Sequence, residues 1–386
     1  MKNIYLDNAS TSFPKAPGVV KQMQFFMEEV GCNINRGGYE KAYSASETVL
    51  DTRGKLCSLF HFDDSRNVIF TMNITMALNQ LCKGLLKSGD HVLVSAMEHN
   101  AVMRPLVQLE AHGVEFDRIP CNRQGELILE RLKPMIKPNT RAVILTHASN
   151  VCGTLMPLKQ VGEICREHGL FFIVDSAQTA GVFPIDMQDM HIDALAFTGH
   201  KGLSGPQGIG GFLVGSALAT QLEPLVAGGT GSFSQLETMP ELLPDKFEAG
   251  TPNLPGIYGL NAALSYLQSN GIDKIRETEL SLAARLTRRL ACEKLRIVGV
   301  EDTQKAPIVS VDFTDRDNAE IAYLLDSKCG VMTRCGLHCA PNAHKTLGTY
   351  PQGTVRFSVS HFNTADEVDE AADCVHKILE RSITDR

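Results

Sequence analysis

The run DALAFTGHKGLSGPQGIGGFLVG, residues 193–215, decides how the rest of the chain is read. The apolar stretch Ala194 to Phe197 is too short for an ordinary helix and is followed by glycines, so it reads as a buried strand. It ends in Thr198-Gly199-His200, and Lys201 follows at once. The glycines beyond let backbone approach closely, and IGGFLVG (209–215) reads as a second strand. Most lysines are solvated surface charges. One held at the carboxyl end of a strand lies where open α/β sheets bind ligands. Burial there lets it lose its proton and attack a carbonyl carbon, forming a Schiff base.

Outward from this run, NVIFT (67–71), HVLVS (91–95), RAVILTHAS (141–149) and LFFIVDSAQ (170–178) read as further strands. ITMALNQLCKGLL (74–86) reads as the helix after the first of them. PLKQVGEICREHG (157–169) puts Leu158, Val161, Ile164, Cys165 and His168 on one helical face and closes on Gly169, a natural C-terminal cap. This alternation predicts an α/β fold with a mostly parallel sheet flanked by helices. After about residue 260 the pattern changes. TELSLAARLTRRLACEKL (278–295) predicts a long amphipathic helix, and APIVSVDF (306–313) and GTVRFSVS (353–360) predict strands. TADEVDEAADCVHKILERS (364–382) predicts a last helix with a capping box at Thr364 and Glu367. The expected organisation is a large domain over 13–260 and a smaller α+β domain over 261–386, with segment 1–12 packing on the smaller one.

A chain of 386 residues is long enough for two such domains. The formal charge of −7, the pI of about 6.0 and the lack of a long basic run argue against nucleic acid as a partner. MKNIYLDNAS does not read as a signal peptide, and no apolar run approaches the roughly 20 residues of a membrane helix. The eleven cysteines are odd in number and scattered through apolar helical stretches. That pattern suits buried thiols in a reducing compartment and predicts a cytoplasmic protein.

A Schiff-base lysine needs an electron sink, and pyridoxal 5'-phosphate (PLP) is the usual one. Its pyridine nitrogen wants a carboxylate, which Asp175 supplies as the first charge after an apolar strand. The plainer reading of Asp175 is a turn or cap residue. A phosphate wants backbone N–H groups at a helix start, which Asn73, Ile74 and Thr75 offer.

At this point the residues resemble a known family. VDSAQTAG (174–181), FTGHKGLSGPQGIG (197–210), HASNVCGT (147–154), MEHNA (97–101) and FEAGTPN (247–253) are similar to the class V, fold-type I PLP enzymes, in particular the cysteine desulfurases and selenocysteine lyases. The resemblance runs from YLDNAS (5–10) to VRFSVSHFNT (355–364). It implies that Lys201 carries the cofactor, that Thr198 and His200 bind its phosphate with Thr75 and the amide of Ile74, and that Asp175 pairs with the ring nitrogen. It implies further that Gln178 bonds the ring hydroxyl with Asn150 close by, and that His99 stacks on the ring and moves protons. By the same resemblance Thr251 reaches the phosphate of a second subunit in a homodimer, and Arg356 holds the substrate α-carboxylate. Asn33 and Arg36 would lie at the mouth of the site. Two positions depart from the pattern. Ile74 stands where relatives often have a hydroxyl, and Asn35 where they often have histidine.

TRCGLHCAPNAHK (333–345) remains. It lacks the Cys-x-x-Cys-His of haem attachment, and no second ligand pair for structural zinc is evident. The resemblance makes Cys339 the nucleophile that takes sulfur from L-cysteine and releases L-alanine. Such a thiol must be deprotonated, and Arg334, His338 and Lys345 are near it in sequence. Cys335 reads as a bystander or a second thiol. Selenocysteine cleavage, another class V amino-acid reaction, and a relay that mainly serves a sulfur-acceptor protein remain alternatives.

Overall fold

Val143, Ile144 and Leu145 expose nothing to solvent, and neither do Phe172, Ile173 and Val174. Strands covered on both faces read as unbroken apolar runs, and a parallel sheet between two helical layers requires that. The computed structural model of the chain describes residues 3–34, 37–300 and 305–380. It opens with β1 (Ile4–Tyr5), α1 (Val19–Phe25), which runs into a single π-helical turn, and α2 (Glu40–Phe60). The central sheet is then built from β2 (Val68–Thr71), α3 (Ile74–Leu85), β3 (His91–Ser95), α4 (Asn100–Glu110), β4 (Glu115–Ile119), β5 (Thr140–Thr146), α5 (Leu158–His168), β6 (Phe171–Asp175), β7 (Ala194–Thr198) and β8 (Gly210–Val214). The short α6 (Ser216–Ala219) follows, then α7 (Leu254–Asn270) and α8 (Ile272–Leu290). The remainder is β9 (Leu295–Val298), β10 (Ile308–Phe313), α9 (Asn318–Cys329), β11 (Val331–Met332), β12 (Arg334–Gly336), α10 (Pro341–Leu347), β13 (Thr354–Ser358) and α11 (Ala365–Glu380).

The seven-stranded sheet has the order β2-β8-β7-β6-β5-β3-β4. Only β8 runs against its neighbours, so the expected mostly parallel α/β sheet is present. Side chains alternate along it with period two. Val143, Leu145, Phe172, Val174, Leu195 and Phe197 face α2, α5 and α7, while Ala142, Ile144, Ile173, Ala194 and Ala196 face α3 and α4. Six strands therefore end at one edge, at Thr71, Ser95, Ile119, Thr146, Asp175 and Thr198.

A second, antiparallel sheet, β12-β13-β10-β9, packs under α8, α9 and α11. β1 pairs with β11, and Asp7 bridges to Ser358, so the segment after β1 lies along this sheet. The capping box forms: Thr364 N–H donates to Glu367 at 3.1 Å, and Glu367 N–H to Thr364 Oγ1 at 3.2 Å. Gly169 closes α5 at φ 66°, as expected. His168, in the last turn of α5, is exposed while the other residues of its face are buried. Two expectations need correction. The helix expected from 278 starts at Ile272 and stops at Leu290, where the chain turns so that Leu295 can open β9. The strand expected over 170–178 ends at Asp175, whose carboxylate accepts the Ala177 N–H at 2.9 Å and starts a turn.

Candidate active site

β6 and β7 are neighbours with Asp175 opposite Ala196, so Asp175 and Thr198 close adjacent strands at the same edge of the sheet. Both side chains are buried. Burial raises the Asp175 carboxyl above its usual range, with Lys201 pulling the other way. Burial pushes Lys201 down to about 8, although part of the residue still meets solvent. His200 is lowered to about 4 by burial and by Lys201 and Lys15, so its ring is neutral. Thr198 Oγ1 and His200 Nδ1 are buried without a hydrogen-bond partner. A buried polar atom left unpaired calls for an explanation, and a polar ligand at the end of β7 supplies one. Across the sheet, α3 begins at Ile74 with Asn73 as its cap, accepting the Met76 N–H at 3.0 Å. Thr75 is exposed and Ile74 buried, and the first-turn amides of a helix are suited to an anion.

Arg356 projects from β13 on the face opposite Val355 and Phe357, as alternation predicts. Its Nη1 donates to Asn150 O at 2.9 Å, and its Nη2 to Asp7 Oδ1 at 3.0 Å and Ser10 Oγ at 2.7 Å. Asn150 Nδ2 donates to His338 O at 2.6 Å, so this residue joins Arg356 to the cysteine loop. Gln178 Nε2 donates to Ala9 O at 3.2 Å.

Cys339 is exposed at the head of that loop, and both it and His338 have positive φ, at 58° and 48°. Two successive non-glycine residues in the left-handed region cost energy and mark a local constraint. The Asn100 N–H donates to Cys339 O at 2.8 Å, which fixes the loop beside His99. His99 caps α4: its Nδ1 accepts the Ala101 N–H at 3.0 Å. Burial, helped by Lys201 and Arg356, lowers it to about 4, so the ring is neutral with its proton on Nε2. His338 cannot supply positive charge to Cys339. It is buried, pushed down to about 2, and bonded through Nε2 to Thr354 Oγ1 at 3.0 Å. Lys345 is exposed on α10 with its ammonium over the Tyr350 ring. Cys335 is exposed on β12, opposite Val355. Among the described residues no group of three or more His, Cys, Asp or Glu side chains is placed to hold a metal ion.

Thr251 and Asn33 are exposed. Nothing in the described contacts brings them to Lys201, and Arg36 and Asn35 lie outside the described residues. Sequence reasoning gave no role to Asp7, Ser10, Lys15 or Glu98. The first three stand in a polar N-terminal stretch with partners 185 to 349 residues away, and no local signal marks them.

Glu98 lies in the MEHNA run, where no local pattern marks it. Its side chain is buried and accepts the Thr146 N–H at 3.0 and 3.1 Å and the Ser95 hydroxyl. Burial raises it from 4.5 to about 8. Between these values the unfolded chain has lost the proton and the folded chain keeps it. Stability therefore falls as pH rises from 4.5 to about 8, by up to about 1.4 kcal/mol per pH unit from this group. Glu98→Gln cannot titrate. Urea midpoints of Glu98→Gln and the parent should draw apart as pH rises through this window, in favour of the variant. Parallel pH profiles would show that Glu98 is ionised in the folded protein.

Comparison with known proteins agrees with this geometry. The class-V aminotransferase family model matches residues 4–371. A protein named probable cysteine desulfurase from Methanothermobacter thermautotrophicus is 32% identical, over 97% of this chain and 94% of its own. Cysteine desulfurase CsdA of Escherichia coli is 31% identical, over 98% and 94%. The apo structure of a cysteine desulfurase from Thermococcus onnurineus superposes with a TM-score of 0.91 at 28% identity, covering 98% of this chain and 95% of that one. A full-length match of this kind, on a chain whose strand ends gather Asp175, Thr198 and Lys201, means that the protein belongs to the class-V aminotransferase family.

Proposed function

We propose that the protein is a PLP-dependent cysteine desulfurase that converts L-cysteine to L-alanine and leaves the sulfur as a persulfide on Cys339. The observation that carries the reading is the Asn100–Cys339 bond of 2.8 Å, which holds an exposed thiol on a constrained loop next to His99. The relatives named above point to the same reaction.

The residues fit PLP. The unpartnered Thr198 Oγ1 and His200 Nδ1, with the first amides of α3, suit its phosphate, and the buried Asp175 carboxyl suits its ring nitrogen. When bound, PLP supplies the electron sink that weakens the Cβ–Sγ bond of the amino acid. Lys201, lowered to about 8, is neutral often enough near pH 8 to act as nucleophile and to move the α-proton. Asp175 keeps the ring nitrogen protonated. The neutral His99 presents Nε2–H and is a donor at this stage. Cys339, as thiolate, attacks the substrate sulfur. The Sγ–S bond forms as the Cβ–S bond breaks, and the β-carbon takes a proton.

Arg356 is the proposed anchor for the α-carboxylate. Charge-assisted hydrogen bonds are worth about 1.5–3 kcal/mol each, so Arg356→Ala should raise the KM for cysteine roughly tenfold or more. Lysine keeps the charge but not the fork and should restore only part of the loss. Unchanged KM in Arg356→Ala would assign the anchor to another residue, with Arg36 next to test.

The exposed Thr251 fits a homodimer in which it serves the second subunit's site, and the exposed Cys339 fits delivery of sulfur to an acceptor protein. All eleven cysteines are free thiols, which suits a cytoplasmic protein. Among the described residues no helix is long and apolar enough to cross a membrane. The deciding experiment measures alanine and persulfide from L-cysteine with the purified, PLP-loaded protein. Equal amounts of both support the reading, and alanine without persulfide would sink it.

A further inference from the structure

Arg334 and Arg356 stand directly opposite each other on β12 and β13. Like charges in that relation repel; Arg334 is exposed to water, whereas Arg356 is only 2% exposed and depends on protein groups for its compensation. The segment Asp7 to Ser10 meets both. Besides its bonds to Arg356, Ser10 Oγ accepts from Arg334 Nη1 at 3.0 Å, and Asp7 lies 3.9 Å from Arg334. The Ser10 hydroxyl donates to Asp7 Oδ1 at 2.6 Å. Two guanidinium groups against one carboxylate leave one positive charge uncompensated. Arg356 Nε, buried, has no partner. One spare charge and one spare donor are what a single incoming carboxylate requires.

The same segment is tied to the lysine turn. The Ser12 N–H donates to His200 O at 2.8 Å, and Lys15 Nζ donates to that oxygen, to Thr11 Oγ1 and to Ser12 Oγ, each at 3.2 Å. The Ala16 N–H donates to Ser204 O at 2.9 Å. Residues 7–16 thus form a strap that joins the peptide preceding Lys201 to the guanidinium of Arg356.

We infer that Asp7, with Ser10, is a positioning residue for carboxylate recognition. It cancels one of the two arginine charges and holds Arg356 in register with Lys201, so that one α-carboxylate completes the cluster. This rests on the reading of Arg356 as the carboxylate anchor.

The test uses the PLP-loaded protein and two probes, each followed by the cofactor's absorbance. L-alanine carries an α-carboxylate, and hydroxylamine does not. Asp7→Asn should raise the L-alanine dissociation constant about tenfold, leave the hydroxylamine rate unchanged, and be partly rescued by Asp7→Glu. Ser10→Ala should raise it several-fold, and carries the test if Asp7→Asn does not fold. Wild-type L-alanine affinity in these variants overturns the proposal, and so does an equal loss of response to both probes, which would mean general disruption of the site. Arg356→Ala separates the two levels. If it loses L-alanine binding while Asp7→Asn and Ser10→Ala do not, only the role of Asp7 fails. If it binds L-alanine like wild type, the anchor reading fails and this proposal with it.

Discussion

Lys201→Ala is expected to abolish both the covalent attachment of PLP and the release of alanine from cysteine. Burial lowers the lysine to about 8, and Asp175 lies near enough to act on its charge. An alanine there removes the nucleophile and the group best placed to move the α-proton, so two steps fail together. Loss of such a residue costs roughly 10³-fold or more. Asp175, Thr198 and the start of α3 are untouched, so free PLP should still bind non-covalently and weakly. Borohydride reduction followed by peptide mass analysis locates the attachment in the parent protein. Label on another lysine, or an active Lys201→Ala variant, would end the assignment.

Cys339→Ser is expected to keep PLP bound and the protein folded while cysteine desulfurase activity falls by roughly 10³-fold. The ground is chemical. A thiol titrates near 8.5 and a serine hydroxyl far above it, so serine offers no usable nucleophile for sulfur at neutral pH. The loop should survive, because it is held by the Cys339 carbonyl and the Asn150–His338 bond, neither of which uses the thiol. Activity on L-selenocysteine, measured alongside, tells whether the thiol is needed for that substrate too. Persulfide that persists at wild-type level in Cys339→Ser would move the role to Cys335, the other exposed thiol of the run.

The parts legible in the sequence were those where local and global demands coincide. β5, β6 and β7 are apolar runs because both faces are buried, and Lys201 declared itself by following one of them. Arg356 was readable because strand alternation sets its face. What stayed hidden depends on long-range pairing. Asp7 is an ordinary turn residue until β1 pairs with β11 and sets it against Arg356. His338 looked like a source of positive charge for Cys339 until burial against Thr354 and His344 made it neutral. Glu98 gives no hint of its buried state, because a carboxylate at a helix start is ordinarily solvated.

The strap of residues 7–16 has a consequence for how the enzyme comes into being. The contact between Asp7 and Arg356 closes a loop of 349 residues, and the Asn8–Ser358 contact one of 350. Contacts so remote in sequence form late, because most of the chain must already be ordered before they repay their entropy. During synthesis the ribosome delivers Lys201 and its sheet well before β13, so the lysine turn can fold while its counterpart is still unmade. The wall beside Lys201 formed by Ile308, Ser358 and Val359 is likewise made last, so the lysine turn gains its full enclosure only when the final strand is in place.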